Sequence, residues 1–196
     1  MNYVQLLCLL LCCLPGAGYA QDPLVSPPRF TLTASFDMQA FALPFQDNIS
    51  YRHTPGGSLS LGYAVNQRGT VLPTLQLGWY GNRVKNTAWS LSTQLVYRPV
   101  LWQHLAIGLR VGAGYQLNRS SVPLYTSGPA GEWEAATRTH GHWFVPLGTD
   151  IGYRFRLRGY TVTPFTGYEL RALLGYNSAY PLLPEGVISV GSRLQF

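Results

Sequence analysis

The sequence has one lysine, Lys85, no cysteine beyond position 13, and only 11% charged residues. Each shortage excludes something. With Cys8, Cys12 and Cys13 confined to the amino end, the rest of the chain has no thiol for a disulfide framework or a thiolate metal site. Charge this sparse is at odds with a disordered or strongly solvated chain. The net charge of +6 rests on arginines scattered singly, and no basic run suggests nucleic-acid binding. No stretch beyond the amino end approaches the roughly 18 consecutive apolar residues of a spanning helix.

The amino end reads as a secretory signal. Leu6, Leu7, Leu9, Leu10, Leu11 and Leu14 form an apolar run too short to span a bilayer, halted by Pro15 and Gly16. Gly18 and Ala20 then place small residues where a signal peptidase needs them, so cleavage is expected before Gln21, with residues 1–20 removed and 21–196 forming one domain. Residues 1–5 carry no Lys or Arg, which leaves the positive charge to the amino terminus itself. Acylation as a lipoprotein is disfavoured, because Leu10 and Leu11 stand where a small residue should precede Cys12.

What the remainder does have is alternation, the strand signal. Phe30, Leu32, Ala34, Phe36 and Met38 interleave with Thr31, Thr33, Ser35, Asp37 and Gln39. Seven further segments follow the same rule: Leu59 to Val65, Leu75 to Trp79, Trp89 to Tyr97, Leu105 to Tyr115, Trp143 to Phe155, Tyr160 to Leu170 and Ile188 to Phe196. One face is bulky and apolar in nearly every segment, and the other is rich in Gly, Ser, Thr and Gln with paired charges. The links also alternate. Those around Gln67, Leu101 and Leu157 are short, and those at 40–57, 81–87, 118–141 and 173–187 are mostly longer. Short turns at one end and long loops at the other predict an all-β, eight-stranded, antiparallel up-and-down transmembrane barrel with its short turns in the periplasm.

A soluble eight-stranded carrier would alternate too, with its apolar face inward. The position of the aromatic rings separates the two, since rings concentrate at water–lipid boundaries. Trp79, Trp89, Tyr115, Trp143 and Tyr168 lie on the apolar face near the long-loop ends, while Phe30, Tyr63, Tyr97, Tyr153, Phe155, Tyr160 and Phe196 lie near the opposite ends. Two such belts have no use in a soluble carrier.

On these residues the chain resembles the small eight-stranded outer-membrane β-barrel family of Gram-negative bacteria, of the OmpA membrane-domain, OmpX and OmpW types. The resemblance covers residues 29–196 as architecture, and its most specific motif is the closing segment 190–196. It implies that Ile188, Val190, Leu194 and Phe196 form the signal read by the barrel-assembly machinery, and that outer-membrane lipids and lipopolysaccharide surround the chain. Pro73, Pro146 and Pro164 fall inside strand segments and cannot donate a ladder hydrogen bond, so each marks a candidate bulge or strand start.

The polar face carries Asp37, Arg110, Asp150, Arg154, Glu169, Arg171 and Arg193, with Arg110 and Asp150 expected at similar depths on neighbouring strands. Buried opposite charges must pair, and eight strands leave room for side chains only, so an ion-paired plug is favoured over a solute pathway. His140 and His142 flank Gly141 at the mouth of the sixth strand, with Glu132 and Glu134 nearby. Some eight-stranded outer-membrane barrels modify acyl chains with His and Ser, but no His-x-Ser pairing occurs here, and a general base needs an adjacent nucleophile. The same two histidines are too few ligands for a metal site, and no cofactor is implied. The loop 118–141, with Tyr125 and Trp133, is the candidate for an extracellular contact of unspecified ligand. The leading expectation is a non-enzymatic surface-interaction or envelope-structural barrel. A lipid A or phospholipid acyl-modifying enzyme and a narrow solute channel are the alternatives.

Overall fold

The computed structural model describes residues 29–40, 54–81, 86–102, 104–120, 125–127, 133–135, 139–157, 160–175 and 181–196. The expected signal segment 1–20 lies outside these residues. Eight strands form the wall: β1 (Phe30–Ala40), β2 (Pro55–Tyr63), β3 (Val71–Gly81), β4 (Asn86–Tyr97), β5 (Leu105–Ser120), β6 (Thr139–Tyr153), β7 (Tyr160–Leu174) and β8 (Leu182–Gln195). Each pairs antiparallel with the next, and β8 pairs with β1, so the sheet closes on itself. Closure ends on the last residue. Phe196 and Phe30 exchange both backbone hydrogen bonds at 3.0 Å. A closed ladder satisfies every neighbour without a free edge, the condition for backbone to cross lipid as strands.

Period-two alternation decides which side chains meet lipid. On β4, Trp89, Leu91, Leu95 and Tyr97 are exposed while Ser90, Ser92, Gln94 and Val96 are buried. The same inversion runs around the wall: Trp143 and Leu147 on β6 are 63% and 62% exposed, whereas Asp150 is 3% exposed. Apolar outside and polar inside is the reverse of a soluble carrier and matches a membrane barrel.

The three prolines neither bulge the strands nor start them. Pro164 pairs in register with Ser192 on β8, and the lapse falls on the β6 side, where pairing resumes only at Phe165 with Gly152. The short strand Phe155–Leu157 continues β6 in the same register beyond that lapse, opposite Tyr160 to Val162. Pro146 likewise pairs with Arg171 on β7 while the β5 ladder skips from Val111–Leu147 to Gly114–Phe144 without shifting. Pro73 pairs with Leu95, and the β2–β3 ladder stops beside it at Gly62–Thr74. In each case the missing N–H falls where pairing with one neighbour lapses, and pairing with the other neighbour holds the register.

Strand lengths differ from the sequence reading. β5, β6, β7 and β8 run 16, 15, 15 and 14 residues, against the 9 to 11 or so that a tilted strand needs to cross a bilayer. β5 therefore continues to Ser120 and β6 begins at Thr139, taking both ends of the expected loop 118–141 into the wall. Within that loop Tyr125–Ser127 pairs with Trp133–Ala135 as a separate small hairpin.

Candidate functional site

Most of the charged part of the interior comes from four consecutive strands, β5 to β8. Inward positions on β6, β7, β8 and β5 carry Asp150, Glu169, Arg171, Glu185, Arg193 and Arg110, and closure brings them into one ladder of alternating charge. From the short-turn end upward, Arg193 meets Asp150 at 2.7 Å, Asp150 meets Arg110 at 3.6 Å, and Arg110 meets Glu169 at 3.7 Å. Glu169 then meets Arg171 at 2.7 Å, and Arg171 meets Glu185 at 3.5 Å. Three cations and three carboxylates alternate, so the ladder is neutral, which is what low-dielectric burial demands.

Amides and rings complete the ladder. Gln94 donates to Glu169 Oε2 at 3.2 Å and Gln116 donates to Glu185 Oε2 at 3.2 Å. The Arg171 guanidinium donates to Tyr80 Oη at 2.6 Å and sits 5.0 Å from the ring centres of both Tyr80 and Phe144. Arg193 lies over Phe165 at 3.7 Å. Such stacking suits guanidinium, whose plane is weakly hydrated. Space for the central pair comes from missing side chains: a Cβ on Gly148 would come 2.9 Å from Arg110, and one on Gly167 would come 2.8 Å from Arg110 and 2.9 Å from Asp150.

Two of the polar residues singled out from the sequence stand apart from this ladder. Asp37 is fully buried and accepts from Ser35 Oγ at 2.8 Å. Arg154 donates to Gln195 Oε1 at 2.9 Å. Sequence reasoning missed Glu185, which fell in a segment read as loop. Counting back by twos from Gln195, Arg193 and Ser189 along β8 would have reached it. It also missed the apolar share of the lumen: Leu72, Tyr80, Phe144, Leu173 and Val187 are each at most 1% exposed. Tyr80 was visible on the polar face of its segment, but its role under Arg171 was not.

His140 and His142 sit on β6 above Phe144, opposite Asn118 and Gln116 of β5. His140 is exposed and His142 half-buried. Their cross-strand neighbours are thus amides, which hydrogen-bond each other at 3.1 Å. Glu132 lies outside the described residues, and Glu134 pairs through its backbone with Thr126 in the small hairpin. Among the described residues no group of three His, Cys, Asp or Glu is placed to hold a metal ion.

On the outer face the rings gather at two levels. Toward the long loops, Trp79 and Trp89 approach at 6.4 Å and Tyr115 and Trp143 at 5.1 Å. Tyr168 lies on the outward register of β7, half-buried. Toward the short turns, Phe30 contacts Tyr63 at 5.2 Å and Phe196 at 6.1 Å, and Tyr153 contacts Phe155 at 4.8 Å. Tyr97 and Tyr160 are exposed at the same level. Ile188, Val190 and Leu194 face outward above Phe196.

No protein-family model and no curated protein matches the sequence. Among solved structures, the chain is similar to Ail, the attachment invasion locus protein of Yersinia pestis, with TM-score 0.51 and 10% identity over 88% of this chain and 100% of that one. It is also similar to Neisserial surface protein A (TM-score 0.49, 16% identity, 85% and 97% covered) and to the N-terminal barrel domain of Pseudomonas aeruginosa OprF (0.45, 15%, 88% and 100%). At 10% identity the likeness to Ail is one of fold, and it agrees with the closed wall described above. The chain has the fold of the small eight-stranded outer-membrane β-barrels, a closed antiparallel wall with an apolar outer face.

Proposed function

We propose that the protein is a non-enzymatic barrel that works at the cell surface as an interaction or envelope-supporting protein. The observation that carries this reading is the neutral ladder from Arg193 to Glu185. It fills the lumen with paired charges and stacked rings, which supports a plugged interior over a solute pathway. The taller wall of β5 to β8 supports the surface role, because its extra residues raise a rim above the lipid on the long-loop side. Lipopolysaccharide and outer-leaflet lipids contact the upper ring level in this proposal, and Ile188, Val190, Leu194 and Phe196 serve as the assembly signal.

Lipid A profiling tests it against acyl modification. Cells lacking the chain, cells expressing it, and cells expressing H140A/H142A should give one acyl pattern by mass spectrometry. A pattern that changes on expression and reverts in the double variant would overturn the non-enzymatic reading.

A further inference from the structure

The short-turn mouth carries a charge imbalance that the ladder does not absorb. A cavity of about 30 Å³ opens there, lined among others by Arg68, Arg98, Arg154 and Arg193, with Thr70 and Thr163 between them. Among the described residues no acidic side chain lines it. The carboxylate next to it, Asp150, is already shared between Arg193 and Arg110.

Two of these arginines have donors to spare. Arg98, 9% exposed, lies in the link after β4, and its Nε and Nη1 have no hydrogen-bond partner among the described residues. Arg193, 2% exposed, leaves Nε and Nη1 without one as well. Arg154 is oriented by Gln195, and Arg68 stands exposed on the β2–β3 turn at the entrance. Buried like charges converging on one cavity, with unsatisfied N–H groups, call for an anion.

Guanidinium forks arriving from separate strands and links match a tetrahedral oxyanion, whose oxygens point in several directions, better than a planar carboxylate. The cavity holds the equivalent of about two waters, enough to seat part of a compact oxyanion while its outer oxygens stay at the mouth. We propose that the periplasmic mouth is a binding site for a phosphate-type oxyanion, gripped by Arg98, Arg154 and Arg193 with Arg68 at the entrance. The phosphate is either free in the periplasm or the headgroup of an inner-leaflet lipid. The site is independent of what the extracellular rim does.

The test compares melting midpoints of the refolded full-length mature barrel. In phosphate-free detergent, inorganic phosphate at about ten times its dissociation constant should raise the wild-type midpoint by about 3–5 °C over chloride of equal ionic strength. The R98Q variant should lose that rise. R154Q, at a less buried position, gives a second reading if R98Q does not fold. In a parallel arm without free phosphate, the midpoint is compared between vesicles of the phosphate-free lipid digalactosyldiacylglycerol and the same vesicles containing phosphatidylglycerol. A response to inorganic phosphate alone assigns free phosphate, a response to phosphatidylglycerol alone assigns the lipid headgroup, and a response to both supports the site with either occupant. A wild type that answers neither, or arginine variants that respond as the wild type does, would overturn the proposal.

Discussion

Glu169 faces two guanidinium groups and a Gln94 amide at once, while its side chain is almost wholly buried. Removing it leaves Arg110 with Asp150 alone and Arg171 with only Glu185 for compensation. Breaking a buried pair in this way costs about 3–5 kcal/mol, because the penalty comes from the charges left behind. Glu169→Ala should therefore lower the barrel's unfolding free energy in urea by that order, and replacing Glu169 and Arg171 together by apolar residues of similar volume should cost less than the single change. Equal losses in the two variants would show that the ladder's charges are solvated and not interdependent. The same residues show why a narrow barrel tolerates charge at all: each cation of the ladder has a carboxylate within 3.6 Å, and glycines at 148 and 167 clear the space in which the central pair meets.

At the scale of the strand, register is held from both sides. Pro146 interrupts the β5 ladder, yet the pairs on either side of the gap keep one register, and the β7 ladder runs through it unbroken. Pro146→Ala should then leave the register unchanged. A cysteine pair V111C/L147C, placed at directly opposed positions in a chain expressed as residues 21–196, which contain no cysteine, checks this by oxidative cross-linking. Cross-linking should be equally efficient with the native proline and in the Pro146→Ala variant, whereas a cross-link that forms in that variant only after the second cysteine is moved by one residue would show that the proline sets the register. Strand existence was legible in the sequence because a half-buried wall imposes period two on residues 30–38, 89–97 and 105–115. Strand ends were not. Above the lipid, the pressure to keep one face apolar stops, so β5 runs on through Asn118 and Arg119, and β8 begins at Leu182 through Pro184 and Gly186.

For the whole molecule, closure creates what the linear sequence hides. Arg68, Arg98, Arg154 and Arg193 are isolated cations along the chain, and they share a cavity only because the short turns converge. Phe144, Phe165 and Leu173 are apolar residues next to apolar residues, so alternation gives no sign that they face inward, and their burial follows from the parity of their strands. By contrast, Arg110 and Asp150 could be placed together from the sequence, since both stood on the polar face of strands expected to lie side by side. The outward rings follow the alternation of their strands, whereas Tyr80, Phe144 and Phe165 face the lumen. The proposed function requires that this closed wall enclose a sealed interior, and conductance in planar bilayers tests that most directly. Wild-type barrel should insert and stay silent across voltages, and a variant with Glu169, Arg171 and Glu185 all changed to Ala should give discrete openings. Steady open-channel steps from the wild type would contradict it.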